Sequence, residues 1–418
     1  MARKENLEQK ENLLSKEELY QAAKECIAKE DYEGAVLNYE QAAKLDCAEA
    51  EYELACLYQE GTVIEKDEKK ASYYFELSAM LEHTEGQYAI ADCFYFGKGV
   101  PRNYRKAVYW YRQAANKNHP EAVQCLANCY YRGDGVVQDF AQAINYYTKA
   151  VDHGFVNANY FLGECYYNGK GTDVNYEQAI KYYTVAAEGG NVQAQMMLGD
   201  CYSYGNGVQK DFEASVKWYT LAADSGNEWA QNKLANCYYY GDGVEQDEQK
   251  AVEYFTKAAN VGNKNSMNRL GDCFYYGRGA NQDYALAFEW YSKAAEAGHH
   301  IAKFNVGNCY YNGYGVDQDF AKAVEWYQQA AEQNIEGAFN KLGDCYSNGY
   351  GVDQDFEAAM SWYLKAAEKG NAWAQDNIGS FYEYGKGVEK NMETAIEWYK
   401  KAADRGNKHA KTRLSRLA

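Results

Sequence analysis

Twelve cysteines are the residues of this chain that most invite a chemical reading. A thiolate can attack an electrophile, close a disulfide or hold zinc. Eight of them stand at Cys93, Cys129, Cys165, Cys201, Cys237, Cys273, Cys309 and Cys345, and each step, from Cys93 to Cys129 for instance, is 36 residues. Phe381 takes the next place, Leu417 the one after it, and Cys56 precedes Cys93 by 37. A reactive site uses its ligands once, whereas this ladder repeats a single thiol. Equivalent helices of neighbouring units should stand roughly 9–10 Å apart, beyond the ~7 Å that a disulfide can bridge. Cys125 and Cys129 lie one helical turn apart, but structural zinc asks for four ligands. The ladder therefore reads as small buried hydrophobes, with free thiols and no metal.

Two other motifs suggest chemistry and then lose it. A Gly-x-Gly-Val turn, as in Gly313-Tyr314-Gly315-Val316, looks like a phosphate-binding loop. It lacks a preceding strand and the Lys-Ser/Thr that would hold a nucleotide, and it recurs in nearly every unit. The six histidines are His83, His119, His153, His299, His300 and His409. They form no His-Glu-x-x-His motif, and nothing pairs them with a nucleophile. The reading is of no enzyme and no cofactor.

The elements behind these motifs follow from the unit around Cys309. Ala302, Val306, Cys309 and Tyr310 recur at helical spacing and share one face. Gly313 and Gly315 end that helix and turn the chain. Asp319 then opens a second helix, its side chain placed to accept from the free amides of the first turn. The equivalent residue is Asn103, Asp139, Asn175, Asp211, Asp247, Asp283, Asp355 or Asn391. Phe320, Ala323, Tyr327 and Ala330 make the buried stripe of the second helix, and Glu325, Gln328 and Gln329 face water. A constant period over this much chain predicts an all-α solenoid of 36-residue helix-loop-helix repeats. The expected organisation is a polar tail over 1–15, a variant helix pair over 16–48, ten repeats over 49–406 and a basic capping helix over 407–418.

Net charge is −17, and it is uneven. Residues 1–85 hold 10 Lys or Arg and 21 Asp or Glu. This argues against nucleic acid, whose phosphates need a basic surface. No segment approaches the ~18 apolar residues of a membrane span. Met1-Ala-Arg-Lys-Glu-Asn-Leu-Glu carries no apolar signal core, so the expected location is cytoplasmic.

Relative to the repeat cysteine, the offsets −8, −5, −1, +2 and +3 of the first helix should point away from the core at ~100° per residue. There the chain places Trp229, Asn232, Asn236, Tyr239, Tyr240, Asn268, Asp272, Tyr275 and Tyr276. Rigid amphipathic rings beside amides and carboxylates are what adaptable binding surfaces use, and these nine residues are the candidate binding site. The competing reading packs the +2 and +3 tyrosines against the second helices, and the sequence leaves the two in balance.

The recurring Leu-Gly-x-x-Tyr, as in Leu162-Gly163-Glu164-Cys165-Tyr166, followed by Ala179-x-x-x-Tyr183, resembles the Sel-one-like repeat family, a relative of the tetratricopeptide repeats. The long Gly-x-Gly-Val loop and the missing first-helix Trp separate it from the latter. The resemblance implies a right-handed α/α superhelix whose first helices line the concave side. It also implies a scaffold or adaptor that binds a protein or peptide there. A glycan-binding module is the alternative, with Tyr and Trp stacking on sugars. Some family members are associated with β-lactams, but Ser-x-x-Lys, Ser-Asp-Asn and Lys-Thr-Gly motifs are all absent from this chain.

Overall fold

The computed structural model describes residues 14–417. The polar tail expected over 1–15 lies outside them except for Leu14 and Ser15, as does Ala418. Among the described residues there are 23 helices and no strand. They divide into two compact units, residues 1–210 and 211–418. The first holds α1 (Lys16–Ala28), α2 (Tyr32–Ala43), α3 (Ala48–Glu60), α4 (Glu68–Met80), α5 (Thr84–Phe96), α6 (Tyr104–Asn116), α7 (Pro120–Arg132), α8 (Phe140–Asp152), α9 (Ala158–Asn168), α10 (Tyr176–Glu188) and α11 (Val192–Tyr204). The second holds α12 (Phe212–Asp224), α13 (Glu228–Tyr240), α14 (Glu248–Asn260), α15 (Lys264–Tyr276), α16 (Tyr284–Glu296), α17 (His300–Asn312), α18 (Phe320–Glu332), α19 (Glu336–Asn348), α20 (Phe356–Glu368), α21 (Ala372–Tyr384), α22 (Met392–Asp404) and α23 (Lys408–Leu417). Within each unit a helix packs on its chain neighbours, which is the α-solenoid that the period predicts.

The caps fall where the sequence puts them. Asp319 sits at φ −146°, ψ 98° and accepts from the Lys322 amide, and the other eight Asp or Asn residues at this place cap their helices alike. Each such cap is worth ~1 kcal/mol. Gly313 ends α17 in the left-handed region at φ 72°, its amide bonded to the Cys309 carbonyl. Gly315, also at φ +72°, has a second reason to be glycine. A Cβ there would run into the Tyr284 carbonyl, at the start of the previous repeat's second helix.

The core alternates small and large. Tyr327 is fully buried, a burial worth roughly 1.5–3 kcal/mol. Gly307 makes room for it: an added Cβ would lie 2.7 Å from the Tyr327 ring. The repeat cysteines fill the remaining small places, and all twelve thiols are free. Burial pushes the Cys273 and Cys309 thiols up to about 12, which removes them as nucleophiles.

Two hydrogen-bond rules position the first-helix surface. Within a repeat, the hydroxyl of the buried second-helix tyrosine donates to the residue just before the cysteine. The pairs are Tyr111 to Asp92 at 2.5 Å, Tyr147 to Asn128 at 2.7 Å, Tyr183 to Glu164 at 2.7 Å and Tyr291 to Asp272 at 2.9 Å. Between repeats, the middle residue of Gly-x-Gly reaches back to the tyrosine two places after the previous cysteine. Asp134 accepts from Tyr95 at 2.7 Å, Lys170 donates to Tyr131 at 3.1 Å, and Arg278 donates to Tyr239 at 2.8 Å. The variable letter of the loop is thus a strap between neighbours.

Candidate functional site

The first helices of the second unit, α13, α15 and α17, enclose a polar pocket of about 400 Å³. Its walls carry Asn232, Asn236, Asn265, Asn268, Asp272 and Asn305. These carboxamides are held by one another. Asn232 Nδ2 donates to Ser266 Oγ at 2.7 Å, and Asn305 Nδ2 donates to Asn268 Oδ1 at 3.0 Å. Asp272 accepts from Tyr291, and Arg269 Nη1 pairs with it at 3.5 Å. Burial raises the Asp272 carboxyl, and the Tyr291 hydroxyl and Arg269 guanidinium pull it back down.

One substitution opens this region. In the α13–α14 repeat the second-helix ring is Phe255 rather than Tyr. It brings no hydroxyl to the residue before the cysteine, so Asn236 has no tether of the kind that holds Asp272. Asn236 turns instead to Asn232, donating to its backbone carbonyl at 2.8 Å, and lines the pocket. The result is a wall of fixed amides, each able to donate and to accept, which matches the chemistry of a peptide main chain.

The nine sequence-derived candidates separate into three groups. Asn232, Asn236, Asn268 and Asp272 meet at the pocket. Trp229, Tyr240 and Tyr276 stand out from the surface at 47%, 54% and 64% exposure. Tyr239 and Tyr275 are corrected. Tyr239 is only 7% exposed, packs on Phe255 and accepts from Arg278. Tyr275 is half-buried among Tyr284, Tyr291 and Tyr314. The +2 place therefore turns inward, because the strap from the next repeat covers it, while the +3 place points out. Asn232 and Asn268 are also more buried than an outward-facing residue, at 8% and 7%.

Sequence reasoning missed Asn265, Arg269, Ile301 and Asn305, which also line the pocket. Arg269 and Asn305 occupy the −4 offset, which the helical spacing assigned neither to the core nor to the outward face. It also missed the histidines' work. His83, His119 and His299 cap α5, α7 and α17, each ring Nδ1 accepting a backbone amide. Asn191, Asn227, Asn263 and Asn371 do the same at the same repeat position, and that alignment was the available signal. Among the described residues no group of three or more His, Cys, Asp or Glu is placed to hold a metal.

With this geometry in hand, likeness to known proteins becomes informative. A family model described as the Sel1 repeat matches residues 14–47, 48–83, 84–119, 126–155, 156–191, 192–227, 230–263, 264–299, 300–335, 340–371 and 374–407. A protective antigen of uropathogenic Escherichia coli displaying an SLR fold is 31% identical, with a TM-score of 0.64 over 91% of this chain and 90% of that one. A Sel1 repeat protein from Oxalobacter formigenes is also 31% identical, with a TM-score of 0.57 over 74% of this chain and 90% of that one. No curated protein matches the chain.

Proposed function

The chain belongs to the Sel1 repeat family, and from that premise we propose that it is a non-enzymatic scaffold that binds a protein or peptide along the first helices of its second unit. The observation that carries this reading is the pocket walled by Asn232, Asn236, Asn268 and Asn305, whose amides are fixed by their own hydrogen bonds. Pre-oriented donors and acceptors cost a partner little ordering when it docks. Trp229, Tyr240 and Tyr276 are exposed rings on α13 and α15, two of the helices that line the pocket, and are residue types in which binding energy concentrates. Free thiols throughout favour a reducing compartment, so the reading includes a cytoplasmic location. No helix of the described residues is long and apolar enough to cross a membrane.

The test is a double substitution, Trp229→Ala with Tyr276→Ala, assayed on a partner captured by the intact chain. Affinity should fall by about tenfold or more, with the melting temperature unchanged because both rings are exposed. Glu253→Ala, on the second-helix side, should leave affinity as it was. Equal loss from both changes, or none from either, would place the partner elsewhere.

A further inference from the structure

The last helix of the second unit carries a separate pocket of about 270 Å³, lined by Glu383, Tyr384, His409, Thr412, Arg413 and Arg416. Two carboxylates stand behind its cationic groups. Asp376 of α21 is 3% exposed, and its Oδ2 lies 2.7 Å from His409 Nδ1. Its Oδ1 is buried without a partner. Glu383 accepts from the Tyr399 hydroxyl at 2.5 Å and pairs with Arg413 at 3.4 Å, while Arg413 also donates to Tyr399.

These contacts have a chemical direction. An ionised carboxylate can only accept, so His409 Nδ1 carries the hydrogen and Nε2 is the nitrogen left to meet a ligand. Arg413 is fixed by one edge of its planar guanidinium, which leaves other N–H groups for an acceptor. Arg416 makes no ion pair among the described residues. The arrangement sets two guanidinium groups at the pocket, with the buried Asp376 holding His409 and the half-buried Glu383 holding Arg413. It is not a cation site, because Arg413 already pairs with Glu383 and no metal-holding group is present among the described residues.

We infer that this pocket binds an oxyanion, a phosphate or carboxylate group, with Arg416 and Arg413 as its donors. The assignment does not depend on the peptide reading of the neighbouring amide pocket, since a small anion alone is the probe.

Calorimetric titration of the full chain with sulfate and with acetate tests this. Saturable binding of either is the expected result. The preferred probe separates a phosphate-like from a carboxylate ligand. Arg416→Gln, at an exposed position that folding does not need, should weaken it by about tenfold or more, and the exposed Lys411→Gln should not. No saturable binding by either anion, or binding that Arg416→Gln leaves intact, overturns the inference.

Discussion

The two units use one backbone plan and finish the same surface in opposite ways. In the first unit the rows four and five places before the cysteine carry rings in α3, α5 and α9, with Gln124-Cys125 in α7 and Met196-Met197 in α11. Tyr88 stacks on His119 at 4.6 Å and leans on Tyr111, and Phe161 lies parallel to Tyr147 at 5.0 Å and 3°. Tyr52 contacts Phe75 and His83. In the second unit the same rows carry amides: Asn232, Asn268, Asn305, Asn340 and Asn377. They bond to Ser266, to one another or to Asp344. Phe304 on Tyr327 is the one ring among them that keeps the first unit's habit. Rings seal the row by burial, whereas amides spend only part of their hydrogen-bonding capacity on neighbours; Asn232, Asn268 and Asn305 line the pocket, while Asn340 Oδ1 is buried without a partner. Packing and hydrogen bonding thus compete for the same positions, and the proposed recognition surface lies where the amides stand.

The sharpest way to break this contrast is to give the first unit an amide. Phe161→Asn removes a stacked ring and should lower stability by ~2 kcal/mol or more, as core truncations do. A shift in the urea midpoint measures it. A loss below ~0.5 kcal/mol, the range of ordinary surface changes, would mean that the rings do not close the row.

A smaller effect should follow from acid. His299 caps α17 through Nδ1, which must be unprotonated to accept, and burial with nearby Lys264, His300 and Arg269 lowers its folded value from 6.5 to about 4. The unfolded chain takes up the proton first. The contribution is therefore complete above pH 6.5, is lost as pH falls toward about 4, and is flat below that. Asn227 and Asn263 cap the preceding first helices without titrating. His299→Asn should consequently flatten that part of the stability profile, read by thermal melts across the window. A variant that keeps the wild-type slope would show that the cap is not what titrates.

The smallest stability change is expected at Asn268→Leu in the second unit. It forfeits one bond from Asn305, and that donor sits at the pocket where water can replace the loss. A shift of ~1 kcal/mol or less in the same urea assay fits. A shift as large as that of Phe161→Asn would make Asn268 a core residue and erase the distinction between the units.

Much of this was legible in the sequence because it repeats. The Asp or Asn caps, the glycine turns and the cysteine ladder follow from single residues obeying local rules, and all stand where the period puts them. What was not legible depends on contacts between repeats. Tyr239 reads as surface on a helical wheel, but the wheel of α13 does not know that Arg278 will fold back over it. Arg269 and Asn305 at the −4 offset lie between the core and the outward offsets, and a polar residue there turns to the pocket. His299 looked idle because a histidine cap is recognised only when aligned with Asn227 and Asn263. The consequence of Phe255 at Asn236 needs the tyrosine tether, which no single helix reveals.

The account's central claim is that partner recognition belongs to the second unit's first-helix surface. Tyr276 and Phe96 are equivalent three places after their cysteines and are exposed to a similar degree, 64% and 59%. A photo-crosslinking amino acid at either position, in otherwise intact chain, compares the two surfaces under one chemistry. The account predicts a discrete covalent adduct with a protein partner from position 276 and none from position 96. An adduct from position 96 alone, or equal adducts from both, would contradict it.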